Sequence, residues 1–93
     1  LKVAHHGSES SSTMAFLTAV SPLEAIISVG GSNPYGHPSA QAIERLQDVH
    51  ATLYRTDLHG TIVVQTDGTT YYTEPQRQPV TYLPVGLYLW PVR

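Results

Sequence analysis

The chain has 93 residues, 41% of them hydrophobic and 13% charged, no cysteine, and a formal net charge of −2 with histidine neutral. A chain of this size buries roughly 60–68% of its unfolded surface, so it forms one small domain or a piece of a larger one, and its composition excludes an intrinsically disordered segment. Also excluded are disulfides, thiolate zinc sites, a nucleic-acid footprint built on bulk positive charge, and a helix with the ~20 apolar residues a bilayer demands.

Residues 1–4 read as a strand that stops at His5-His6, and residues 5–12 as a Gly/Ser-rich loop. Ser12 is placed to cap a helix over residues 13–20, with Met14, Phe16, Leu17 and Val20 on its apolar face. Ser21-Pro22 ends that helix, because proline disfavours helical geometry in the residue before it. Residues 25–29 form a nearly continuous apolar run, the pattern of a strand covered on both faces, and Gly30-Gly31 breaks it. Ser39 caps a second helix over residues 40–49, with Ile43, Leu46 and Val49 on one side.

Residues 51–55 and 61–66 alternate and are rich in β-branched and aromatic types, and the turn Asp57-Leu58-His59-Gly60 is expected to join them as a hairpin. Asp67-Gly68 signals a second hairpin into residues 69–73. The expected order is β-α-β-α-β-β-β, an α/β class with ligands bound outside the strand C-termini. From residue 74 the texture changes: Pro75, Pro79, Pro84 and Pro91 crowd the last stretch, so residues 74–93 read as a Pro-rich apolar tail, packed or disordered. The chain opens inside a strand-like run without Met, as expected of a segment whose domain begins upstream.

Two loops carry the chemistry. In His5-His6-Gly7-Ser8, side chains alternating along a strand end would let only one of the two rings reach a given metal ion, with the other donating to phosphate or orienting the first. Ser8 offers a hydroxyl there. In Asn33-Pro34-Tyr35-Gly36-His37, the His37 imidazole stands ahead of a helix N-terminus, where it can bind or protonate a phosphate oxygen, with Asn33 and Tyr35 either lining the site or simply suiting the turn after Gly30-Gly31. The competing readings are a histidine pair hydrogen-bonded within its loop, and an ordinary loop histidine before a capped helix. His50 at a helix end and His59 at a turn read as structural or solvent-facing, and Asp57 as a turn builder accepting backbone N–H bonds.

Taken together, Leu1-Lys2-Val3-x-His5-His6-Gly7-Ser8, Ser10-Ser11-Ser12, Ile26-Ile27-Ser28-Val29-Gly30, Tyr35-Gly36-His37-Pro38 and Tyr54-Arg55-Thr56-Asp57-x-x-Gly60-Thr61-Ile62 resemble the C-terminal part of the metallo-β-lactamase-fold domain of ComEC-type DNA-internalisation competence proteins. The resemblance covers residues 1–73. It implies the second half of a four-layer αββα hydrolase fold, a site for one or two zinc or manganese ions, and action as a nuclease or phosphodiesterase on the DNA strand that is not imported. It further implies a soluble, extracytoplasmic domain attached to a bacterial inner-membrane protein. The family's late histidine ligand falls on the His5-His6 doublet, with His6 the favoured position because it precedes Gly7-Ser8. The motif that supplies most ligands in that fold is absent, so the 93 residues alone are expected to be catalytically incomplete, partnered by the upstream part of the same domain. Two other readings stand beside this one: a free-standing hydrolase of small phosphoesters, and a non-catalytic scaffold of the uptake channel. An apolar strand in half of a two-layer fold also implies a sheet face to be met by the tail (Leu83, Tyr88, Trp90), by a second copy, or by the missing half.

Overall fold

Seven residues, Met14–Val20, form the first α-helix (α1) because both of its ends are closed by side-chain or backbone caps. In this computed structural model, which describes residues 1–78, 81–82 and 88–89, Thr13 rather than Ser12 is the N-cap, its hydroxyl accepting from the Phe16 N–H at 3.2 Å. Ser21, at φ 51°, turns the chain out of the helix before Pro22. Ser12 is instead buried, and its carbonyl accepts a 2.7 Å bond from Arg45 Nε.

The strand β1 (Glu24–Ile27) follows, then the helix α2 (Ala40–Asp48) and the strand β2 (Thr52–Arg55). Ser39 caps α2 as its position implies, accepting from the Ala42 N–H at 3.0 Å. Ala42 and Leu46, four residues apart and thus on one helix face, are fully buried. Strands β1 and β2 pair in parallel, Glu24 opposite Thr52 through Ile27 opposite Arg55. A parallel pair needs a crossover connection, and α2 is that crossover.

The expected hairpin between residues 51–55 and 61–66 is not formed. Residues Thr56–His59 make a single helical turn, α3, and β3 (Ile62–Thr66) pairs with β4 (Tyr71–Pro75) instead of β2. The residues expected to reverse the chain are coiled into that helical turn, so β2 pairs with β1 along one edge and β3 turns to β4. The Asp67-Gly68 turn does join β3 to β4, with Gly68 at φ 91°, and Asp67 Oδ1 accepts from the Thr69 and Thr70 N–H groups at 2.9 and 2.8 Å. This strand reaches Pro75 and so crosses the expected domain boundary at 73. A short antiparallel pair, β5 (Thr81–Tyr82) with β6 (Tyr88–Leu89), follows. Leu83, Trp90 and the side chain of Tyr88 lie outside the described residues.

The core is one cluster of Val3, Leu17, Ala25, Ile27, Val29 and Leu46, placed between the inner face of β1 and the two helices. Along β1 burial alternates, with Ala25 and Ile27 fully buried and Glu24 and Ile26 half-buried. The continuous apolar run therefore does not mark a strand buried equally on both faces. Its outer face meets the chain's own hairpin: Val64 and Tyr71 stand across a cavity of about 280 Å³ from Leu1, Leu23 and Ile26, and the Thr73 hydroxyl donates to the Glu24 carboxylate.

Candidate functional site

Three segments meet beyond the C-terminal end of β1. Residues 1–4, expected as a strand, make only a bridge of Lys2 to Ile26, and Ala4–Gly7 then closes into a 3-10 turn. His5 and His6 both adopt left-handed backbone, at φ 50° and 56°. Non-glycine residues in that region are strained by on the order of 1–3 kcal/mol each and persist where surrounding structure holds them. Two contacts hold this turn against the loop before α2: the Ser39 N–H donates to the Gly7 carbonyl at 2.8 Å, and Gly7 itself abuts Pro38. A methyl group on Gly7 would lie 2.6 Å from Pro38 Cβ, so only glycine fits there.

The turn corrects the premise that the two imidazoles point to opposite faces. Their ring centroids are 6.4 Å apart, and His5 lies 5.4 Å from His37. His6 Nδ1 is 2.7 Å from the Ser28 carbonyl oxygen. A carbonyl only accepts, so Nδ1 is the donor, and in the neutral ring the lone pair lies on Nε2, the arrangement typical of a ligating histidine. His5 Nδ1 is 3.0 Å from Ser8 Oγ, which is 2.6 Å from Ser11 Oγ, and Ser11 in turn donates to the Ala4 carbonyl at 3.2 Å. The polarity that satisfies every member runs from His5 through Ser8 and Ser11 to that carbonyl. Ser8 is buried and its hydroxyl is used in this relay, so it orients His5 rather than offering a free nucleophile or donor.

Asn33 is the bracket of the second loop. Its Nδ2 donates to the Gly30 and His37 carbonyls at 2.9 and 2.8 Å, and its Oδ1 accepts from the Tyr35 and His37 N–H groups at 3.2 and 3.0 Å. Both donors and both lone pairs are thereby used, so Asn33 shapes the site and has nothing left for a substrate. The His37 ring stacks on Tyr35 at 5.8 Å with 22° between planes. His6, Val29, Gly30, Asn33, Tyr35 and His37 together line a cavity of about 170 Å³.

A third segment braces the end of β1. Thr56 Oγ1 accepts from the Val29 N–H at 2.8 Å and donates to the Val29 carbonyl at 3.0 Å, which fixes the exit of β1 toward Gly30. No role was expected for this threonine, although it sits in the Tyr54-Arg55-Thr56-Asp57 cluster. Beside it, Arg55 Nε and NH2 donate to the two Asp57 carboxylate oxygens at 3.0 and 2.7 Å. The guanidinium holds the Asp57 carboxyl below its ordinary range, with backbone N–H groups adding to the effect and burial opposing it. Asp57 is thus an arginine partner first and a turn builder second. His59 Nδ1 lies 3.0 Å from the Arg55 N–H, a structural contact.

An imidazole whose Nδ1 is held by a carbonyl, as at His6, is a donor suited to zinc. Among the described residues, however, no three ligating side chains form a group able to hold a metal ion. A catalytic metal site takes about three protein ligands. These residues fit one position of such a site and not the whole of it.

Comparison with curated proteins gives three relatives. The chain is 44% identical over 62 residues to ComE operon protein 3 of Bacillus subtilis and 44% identical over 62 residues to Competence protein ComA of Neisseria gonorrhoeae. It is 38% identical over 64 residues to Recombination protein 2 of Haemophilus influenzae. These stretches are 67%, 67% and 69% of this chain but 8%, 9% and 8% of the relatives. The chain spans less than a tenth of the length of the curated relatives it matches. No family model and no solved structure matches.

Proposed function

We propose that this chain works in competence for DNA uptake and forms the closing part of a metal-dependent phosphodiester-hydrolysing site. Similarity to two proteins whose names place them in a com operon or in competence, and to a third named for recombination, supports the first half of this reading. The observation that carries the second half is the His6 imidazole, whose Nδ1 is bound to the Ser28 carbonyl and which lines the cavity together with His37.

In this reading His6 is one ligand of a zinc or manganese site in an αββα metallo-β-lactamase-like domain, and the other ligands come from outside these 93 residues. The metal, when bound, lowers the pKa of a water molecule and polarises a phosphoryl oxygen. The chain's own residues do the rest. His37 and His5 stand where they can hydrogen-bond a phosphate oxygen, the Ser8–Ser11 relay holds His5 in one orientation, and Thr56 and Asn33 fix the loops that carry the rings. The substrate is DNA, the strand not imported, and the parent protein holds the domain at the outer face of the bacterial inner membrane.

Elemental analysis of the longer protein, with and without His6→Ala, tests this. Metal and phosphodiesterase activity should be present in the parent and lost together in the variant. A His6→Ala protein that keeps both would refute the assignment.

A further inference from the structure

Tyr35 is the residue of the cavity rim that this chemistry leaves unused. It is 78% exposed, a large aromatic ring held in water. Its backbone is pinned by the Asn33 side chain, and the ring stacks on His37, so its position is set by the same loop that sets the imidazole. Next to it the backbone is bare. Apart from each glycine and its two chain neighbours, no heavy atom lies within 4 Å of where a side chain would start at Gly30, Gly31 or Gly36. A flat ring can lie against such a surface.

We propose that Tyr35 and the glycine-bare backbone around it form a stacking platform for one nucleobase of single-stranded DNA, placing the adjoining phosphate toward His37 and His6. This rests on the reading of DNA as the substrate. With a net charge of −2 the chain draws little binding energy from counterion release, so contact with the base faces has to carry the binding. Base faces supply sequence-tolerant stacking in its place, and they are open only when the strand is single. The platform therefore selects strand state without reading sequence, and its binding should depend only weakly on salt.

The test uses the longer protein that carries the whole domain, without added metal, titrated with hexathymidylate and with an abasic strand of equal phosphate number, while amide shifts of Gly30, Tyr35 and His37 are followed. Hexathymidylate should move these signals with a shallow salt dependence, and the abasic strand should not. Tyr35→Ala should weaken binding about ten-fold, and Tyr35→Trp should restore it. Equal binding of the abasic strand, indifference to Tyr35→Ala, or no shift at millimolar hexathymidylate would overturn the proposal. The metal content of His6→Ala reads the hydrolase assignment separately, so failure of one leaves the other standing.

Discussion

In the loops that follow β1 the polar side chains satisfy one another, whereas in the β3–β4 hairpin apolar side chains stand in water. Ser8 and Ser12 are buried, Asn33 makes four hydrogen bonds within its own loop, and Thr56 closes on both backbone groups of Val29. Across the molecule Val63, Val64, Tyr71 and Tyr72 are all about half exposed. The first region is over-determined around a strained turn, as sites that hold functional groups tend to be. The second is held by its ladder and a few contacts to β1, so it should tolerate change.

The sharpest way to break that contrast is Gly7→Ala. The new methyl meets Pro38 Cβ at 2.6 Å and the backbone sits at φ 80°, so strain and overpacking combine. We expect a loss of about 3 kcal/mol in urea unfolding, with separation of the His5 and His37 signals. Gly36→Ala is the matched control: its φ is 70° but its surroundings are open, and only the backbone part, about 1 kcal/mol, should be lost. Equal losses at the two sites would show that the Gly7–Pro38 contact does not lock the loops together.

Thr56→Val comes next. It keeps the shape and removes both partners of Val29, leaving a buried N–H and carbonyl unsatisfied at a cost of about 1–3 kcal/mol. Loss of this size should also move the Gly30 amide, since Val29 leads directly into it.

A smaller effect is expected from the Arg55–Asp57 pair. The folded carboxyl titrates below its ordinary value of 3.8, so its contribution is present above that pH and is lost as pH falls through the depressed folded value. Asp57→Asn should cost under about 1 kcal/mol at neutral pH and flatten the acid limb of a stability-versus-pH curve. An acid limb unchanged by the substitution would remove Asp57 as its source. Smallest of all, Tyr72→Thr in the hairpin should shift stability within about 0.5 kcal/mol. A loss several times larger would mean that the exposed face is covered in solution.

The sequence made the local devices legible and the partners less so. Ser39 reads as a cap because its hydroxyl suits an N-terminal amide, and Asp67-Gly68 reads as a turn because its backbone needs positive φ. The β1–α2–β2 unit follows from an apolar run, a capped helix and a second run. What stayed hidden depends on tertiary context. Nothing in a His-His doublet announces two consecutive left-handed residues; they arise because Gly7 must reach Pro38 and Ser39. That the residues after β2 coil into a helical turn, and not a hairpin loop, is likewise invisible to alternation. The division of labour among the loop residues was not legible: Ser8 reads as a free hydroxyl, and Asn33 as either a site residue or a turn residue, until their hydrogen bonds are counted.

One further consequence follows from the Asn33 bracket. A loop that closes on its own amide is ordered when the chain folds, before any ligand arrives. The entropy of fixing Tyr35 and His37 is then charged to folding and not to association. Encounter should proceed at rates set by diffusion and orientation, without a slow loop rearrangement. Weak affinity at this site would therefore reflect few contacts and would not signal a conformational penalty.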